Sequence, residues 1–292
     1  MPLAVSFHGG APSTTDQSHH HAGTAINTIM TVDGANLAPA LEAGDTTLRE
    51  LRAFTLDPGS GQLYVVNAYK EASAIYVFDP PSDAIVGAPY VYSSTFASAS
   101  KHLDHPFDLV VGPDGDVYVS NQDTGEITVF HGPAHSQPGS FKHVFAKGFG
   151  AVRGLACDGT SWYVADAGSK SKPAGVWVYD LAGTAQAAGP LAVPQPVHLL
   201  YDGARYLYVG SESTDSVYRL DTTATGAVPL VFVDGTGVID KTSGLALDGT
   251  TLYVASRKGQ SLFATDVSSA APTLSPFGPA VLGDQPEFLA WW

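Results

Sequence analysis

Three charged residues stand at matching places in this chain. Arg52, Arg153 and Glu287 each open an apolar run, in Arg52-Ala53-Phe54-Thr55-Leu56, Arg153-Gly154-Leu155-Ala156-Cys157 and Glu287-Phe288-Leu289-Ala290-Trp291. The protein has only 14 lysines and arginines, so two guanidiniums and a carboxylate at equivalent positions are a notable use of charge. An arginine presents a planar fork of donors that fits a carboxylate or other anion. Arg52 and Arg153 could thus clamp an anion while Glu287 orients a polar or cationic part, or handles a proton as a catalytic group. The same residues could also satisfy one another as a network that only fills space.

These runs belong to a repeat. Aligning the strands that carry Tyr-Val places Tyr64, Tyr118, Tyr163, Tyr208 and Tyr253 in one column, at intervals of 54, 45, 45 and 45 residues. A period near 45 with several short strands per unit is the signature of a propeller blade. The clearest copy runs from Phe107 to Phe130: an apolar run, a Pro-Asp-Gly turn, a β-branched and aromatic run, a second turn and an alternating run. The expected fold is all-β, a single six-bladed β-propeller with about four strands per blade. The blades are placed at about 51–98, 105–148, 151–193, 195–239 and 241–282, and the sixth combines 283–292 with 1–44. In that sixth blade the C-terminal run supplies the inner strand and pairs with N-terminal strands, which removes the open sheet edges.

In such a ring the first residues of the inner strands share one mouth of the central channel. That column reads Glu287, Arg52, Phe107, Arg153, Val197 and Ser243. Arg52, Arg153, Phe107 and Ser243 are the expected ligand-binding residues. The next column holds Asp108 and His198, for which a hydrogen bond to a neighbouring backbone is expected, with an acid/base role for His198 as the alternative. The second strands end in Asn67, Asn121, Asp166, Ser211 and Ser256, followed by Gln122, Glu212 and Arg257, with His8 in the N-terminal copy. Short polar residues are normal turn chemistry, and Asn67, Asn121 and Asp166 would also form a hydrogen-bonding rim for a ligand.

The N-terminal copy is longer than the rest: 25 residues separate Ala4 from Ile29, against 9 between Tyr118 and Ile127. The added loop carries His19-His20-His21, and His102 and His105 precede Phe107 on the same face. Histidine is the commonest transition-metal ligand, so His19, His21 and His105 are candidate ligands for a divalent metal, the one cofactor these residues suggest. Adjacent histidines lack fixed metal-ligand spacing, and a loop without metal is the competing expectation. Nucleophile elbows, phosphate-binding glycine loops, His-Glu-x-x-His and EF-hand loops are all missing.

Composition narrows the partners. A formal charge of −14 with no basic run repels nucleic acid and anionic lipid, so neither is expected. No run approaches the ~18 apolar residues of a membrane span. One cysteine, Cys157, excludes an intrachain disulfide. The start lacks the basic and apolar regions of a signal peptide, which fits a cytoplasmic protein or a secreted one whose leader has been removed. A monomer binding a small molecule, a glycan or a peptide is expected.

The stretch His105-Pro106-Phe107-Asp108-Leu109-Val110-Val111-Gly112-Pro113-Asp114-Gly115-Asp116-Val117-Tyr118-Val119-Ser120-Asn121 resembles an NHL-type repeat. The other blades resemble the same broad group, which includes gluconolactonase-like hydrolases, strictosidine synthase-like proteins, amidating lyases and streptogramin lyases. That resemblance implies a hydrolase or lyase, and the charged mouth column with the long N-terminal loop adds the expectation of a small, anionic substrate at the channel mouth. The alternative is a non-catalytic binding propeller. Glu287-Phe288-Leu289-Ala290-Trp291 is similar to the Glu-x-Pro-x-Trp motif of the calcium-dependent lactonases in its Glu and Trp. Their other ligands are Asn or Asp where this chain has Arg52, Phe107, Arg153, Val197 and Ser243. The zinc-binding histidine that the amidating lyases carry in this column is also missing here.

Overall fold

The computed structural model describes residues 2–9, 25–42, 48–81 and 88–291. Six antiparallel sheets form a six-bladed β-propeller. The inner strands are Leu51–Leu56, Pro106–Val111, Val152–Cys157, Pro196–Tyr201, Thr242–Asp248 and Pro286–Trp291. Each starts one residue before the mouth column. Ring closure follows the sequence expectation: Pro286–Trp291 pairs with Leu3–Phe7, joining Leu3 to Trp291 and Val5 to Leu289. No helix among the described residues is long and apolar enough to cross a membrane.

Alternation writes each blade. In Val117–Asn121 and its equivalents one set of side chains packs on the preceding blade and the other on the following one, so these strands are buried along their length apart from the first residue of three of them. The tyrosine column fills the space between blades. Tyr118 lies 4.1 Å from the Trp162 ring, centroid to centroid, and the hydroxyls of Tyr118 and Tyr163 donate to the turn carboxylates Asp114 and Asp158. The apolar column thus buries its one polar atom with a partner.

Five sheets have four strands and one has three. The expected outer strand at 191–193 reduces to one bridge, in which Leu191 exchanges both backbone hydrogen bonds with Val176. Pro190 and Pro194 flank it, and proline has no N–H with which to extend a ladder. In the blade at Leu51–Leu56, by contrast, the outer strand runs the full Val91–Ser98, which absorbs the longer 54-residue interval.

Adjacent blades are hydrogen-bonded to one another just below the mouth. Ser6, Ser120 and Ser243 donate to the carbonyls of Arg52, Arg153 and Pro286 on the next blade, at 2.7, 2.6 and 2.7 Å. Gly154 is required there: a Cβ would lie 2.9 Å from His198 Cα, Leu199 N and Val197 O, all backbone atoms of the neighbouring blade. Gly154→Ala is therefore expected to cost about 1–3 kcal/mol by overpacking, measured as a lower urea midpoint. An unchanged midpoint would mean that the blades separate easily at this point.

Candidate active site at the channel mouth

All six inner strands carry a register shift at the mouth column. The shifts fall between Leu51 and Phe54, Pro106 and Asp108, Val152 and Leu155, Pro196 and His198, Thr242 and Leu245, and, on the partner strand in the closing blade, between Ser6 and Phe7 opposite Glu287. A bulge leaves its residue unpaired and re-aims the side chain. Here it turns Arg52, Phe107, Arg153 and Glu287 to one end of the channel.

Partners arrive from the residue just past each second strand. His8, Glu212 and Arg257 donate their backbone N–H to Gln285, Gln195 and Lys241, which immediately precede the inner strands, at 2.7, 3.0 and 2.8 Å. That bond sets their side chains beside the bulged column. Glu287 Oε1 lies 2.8 Å from Arg52 Nη1, 2.7 Å from His8 Nδ1 and 3.5 Å from Arg257 Nη1. Arg257 also pairs with Glu212, which accepts from Arg153 Nη1 at 2.5 Å. Arg52 and Arg153 then meet over Phe107, their guanidinium carbons 5.7 and 5.9 Å from the ring centroid. Glu287, Arg52, Phe107, Arg153, Glu212 and Arg257 thus form a closed circuit around the channel, to which Lys241 adds a contact with the Glu212 carbonyl.

The circuit has more positive than negative charge. Three guanidiniums and the Lys241 ammonium meet two carboxylates. Burial on its own would raise the Glu287 carboxyl; the Arg52 and Arg257 charges and the His8 contact outweigh it and hold Glu287 well below the usual carboxylate range. Burial also opposes ionisation of Glu212, and Arg153 and Arg257 outweigh it there. Both acids are therefore permanent anions at neutral pH. Neither Arg52 Nη2 nor Arg153 Nη2 has a partner among the described residues, so each arginine keeps one terminal nitrogen for another group.

The remaining sequence candidates have other positions. Ser243 is buried with its hydroxyl committed to Pro286. His198 lies one residue along the inner strand from the mouth, with Nδ1 accepting from Leu245 N–H at 2.7 Å, and Asp108 accepts from Leu155 and Leu109 N–H at 2.8 Å each. Both tie one blade to the next. Asn67 Oδ1 accepts from Arg49 N–H, Asn121 Oδ1 from Asp104 N–H, and Asp166 from the N–H groups of Gly150, Ala151 and Gly168. Each pins the loop entering its own inner strand.

His105 is turned to Asp123, 2.8 Å from Nδ1, and Lys70 holds the other oxygen of that carboxylate. His19 and His21 lie outside the described residues. Among the described residues no group of three or more His, Cys, Asp or Glu is placed to hold a metal ion. The strand alignment places His8, Glu212 and Arg257 just past the second strands but does not assign them as partners of the inner column. Their signal was charge in a repeated position, visible only once the bulge brings that position beside the inner column.

No family model matches the chain, and no curated protein matches it. Solved structures do. The chain is similar to a structure of a nidogen/laminin complex, with a TM-score of 0.68 and 14% identity over 99% of this chain and 97% of that one. It is similar to the periplasmic gluconolactonase of Pseudomonas aeruginosa, with a TM-score of 0.62 and 21% identity over 94% and 81%. A Lactobacillus plantarum protein gives 0.62 and 18% over 95% and 82%. At these identities the likeness concerns the propeller fold alone, which enzymes and binding proteins both use.

Proposed function

We propose that the channel mouth binds a small carboxylate-bearing molecule and that the protein acts on it as a hydrolase or lyase. The observation that carries this reading is the pair of uncommitted nitrogens, Arg52 Nη2 and Arg153 Nη2, on two guanidiniums that both pack on the Phe107 ring. A carboxylate accepts from such donors through charge-assisted hydrogen bonds, while the ring offers an apolar surface to the rest of the molecule. Proton handling falls to His8, whose Nδ1 lies 2.7 Å from both Glu287 Oε1 and Arg52 Nη1. An ionised carboxylate that orients an imidazole is the arrangement a general base needs. Glu287 itself stays deprotonated, so it serves as an anchor and charge stabiliser.

Titration calorimetry with D-gluconate, the product expected of a gluconolactonase-type reaction, tests the binding step. Arg153→Ala leaves Glu212 paired with Arg257, so the fold should persist while affinity drops roughly ten- to hundredfold, the value of a charge-assisted hydrogen bond. Equal affinity in the variant would remove Arg153 from the site. Turnover is read with glucono-δ-lactone, and His8→Ala should abolish any rate above the uncatalysed one. A wild-type protein that binds gluconate and leaves the lactone untouched would support the second reading, a non-catalytic binding propeller. That reading is favoured by the 99% coverage against the nidogen/laminin structure.

A further inference from the structure

Beneath the charged circuit the channel continues as a separate cavity of about 590 Å³. Its walls are the lower halves of the inner strands: Leu109, Leu155, Leu199, Leu245 and Leu289, with Phe288 at the upper end. None of the six mouth-column residues lines it. It opens instead on the opposite face of the ring, past Cys157, Tyr201 and Trp291. The volume suits a small molecule, and a mostly apolar wall with few polar groups is what such sites have in common.

The polar side chains that line this space include Asp108, His198, Thr55 and Tyr201, of which Asp108 and His198 are buried. Asp108 has both oxygens engaged with backbone N–H groups. His198 does not have both nitrogens engaged. Its residue is only 4% exposed, and Nδ1 accepts from Leu245 N–H, so Nδ1 carries the lone pair and the neutral ring carries its proton on Nε2. That Nε2–H donates to no described residue, yet it is not among the sealed polar atoms that lack a partner. The open space that His198 borders is the channel. A donor is therefore fixed in tautomer and direction by the fold, braced by the Phe288 ring at 4.2 Å, and aimed into an apolar cavity.

We infer that the lower channel is a second binding site, for an uncharged, largely apolar molecule carrying a carbonyl or ether oxygen that accepts from His198 Nε2–H. The charge follows from the walls. No lysine or arginine lines the cavity, so a carboxylate would enter without a counter-ion and meet Asp108. An ammonium group would face the proton of Nε2. A neutral acceptor satisfies the uncommitted His198 donor and covers the leucines, each apolar contact adding the usual transfer free energy. This site stands independently of the mouth, because it is entered from the other face and shares no lining residue with it.

The test uses three probes with one skeleton: benzylacetone, hydrocinnamate and phenylpropylamine. Benzylacetone should bind saturably, with the same affinity in the presence and absence of excess D-gluconate. The two charged probes should bind at least tenfold more weakly or not at all. In ¹⁵N-histidine spectra of the wild-type protein, His198 should show the Nε2–H tautomer when free, and its Nε2 signal should shift with benzylacetone. His198→Phe, which keeps the ring and removes the donor, should weaken binding about tenfold. The spectrum keeps the proposal testable if that variant does not fold. Tighter binding of the amine or the carboxylate, an Nδ1–H tautomer, or an unmoved Nε2 signal at saturation would overturn it. So would competition by gluconate.

Discussion

Glu287→Gln should lower stability at neutral pH by about 3 kcal/mol, seen as a lower denaturant midpoint with an unchanged slope. The Glu287 side chain is 2% exposed and the Arg52 side chain 7%. Glutamine fills the same volume but brings no charge, so Arg52 keeps a buried positive charge with no anion beside it. Arg257 loses one of its two carboxylates and retains Glu212. The effect has a defined pH window. A carboxyl held below its ordinary value of 4.5 stabilises the fold fully above that value and loses the contribution as pH falls below it. The wild type and the variant should therefore differ most at neutral pH and converge in acid. Equal midpoints at neutral pH would show that the circuit contributes no net stability, as some buried ion pairs do not.

The second large effect belongs to Asp108 and His198, which titrate in opposite senses. Burial pushes the Asp108 carboxyl up to about 7, against the hydrogen bonds from Leu155 and Leu109. A raised acid contributes its stability fully below its ordinary value of 3.8 and loses it as pH rises through about 7. Burial lowers His198 to about 3. A depressed base contributes fully above its ordinary value of 6.5 and loses that contribution as pH falls towards about 3. Between 3.8 and 6.5 the two slopes oppose each other, each reaching about 1.4 kcal/mol per pH unit. Asp108→Asn should uncover the histidine: stability should fall steeply on acidification from pH 6.5, where the wild type stays nearly level. His198→Gln should do the reverse and gain stability over the same range. A pH profile parallel to wild type in Asp108→Asn would contradict the opposed pair.

Much of the fold was legible because a propeller repeats its chemistry. Five Tyr-Val strands at a regular period, Asp-Gly turns and an orphan C-terminal strand determine the number of blades and how the ring closes. The outer strand at 191–193 was not legible in the same way, since its apolar residues match a strand while Pro190 and Pro194 withhold the donors. At the site, the inner-strand column correctly grouped Arg52, Phe107, Arg153 and Glu287 at one end of the channel. It could not show which residues answer them. Glu212 and Arg257 lie far from their partners in sequence, and the pairing depends on bulges whose presence no residue type announces. The same limit applied to His198: the pattern placed it between blades, but only its hydrogen bond to Leu245 fixes which nitrogen keeps the proton.

In the proposed function Arg52 and Arg153 hold an anion over Phe107. Arginine-selective ¹⁵N labelling with a D-gluconate titration tests it most directly, because each guanidinium reports its own occupancy. Arg205, already paired with Asp221 on the exposed surface, serves as the internal reference. The side-chain signals of Arg52 and Arg153 should shift together and saturate at one affinity, while Arg205 stays in place and neutral sorbitol moves none of them. Shifts of equal size at all three arginines, or no shift at Arg52 and Arg153 while calorimetry reports binding, would show that these two arginines do not hold the anion.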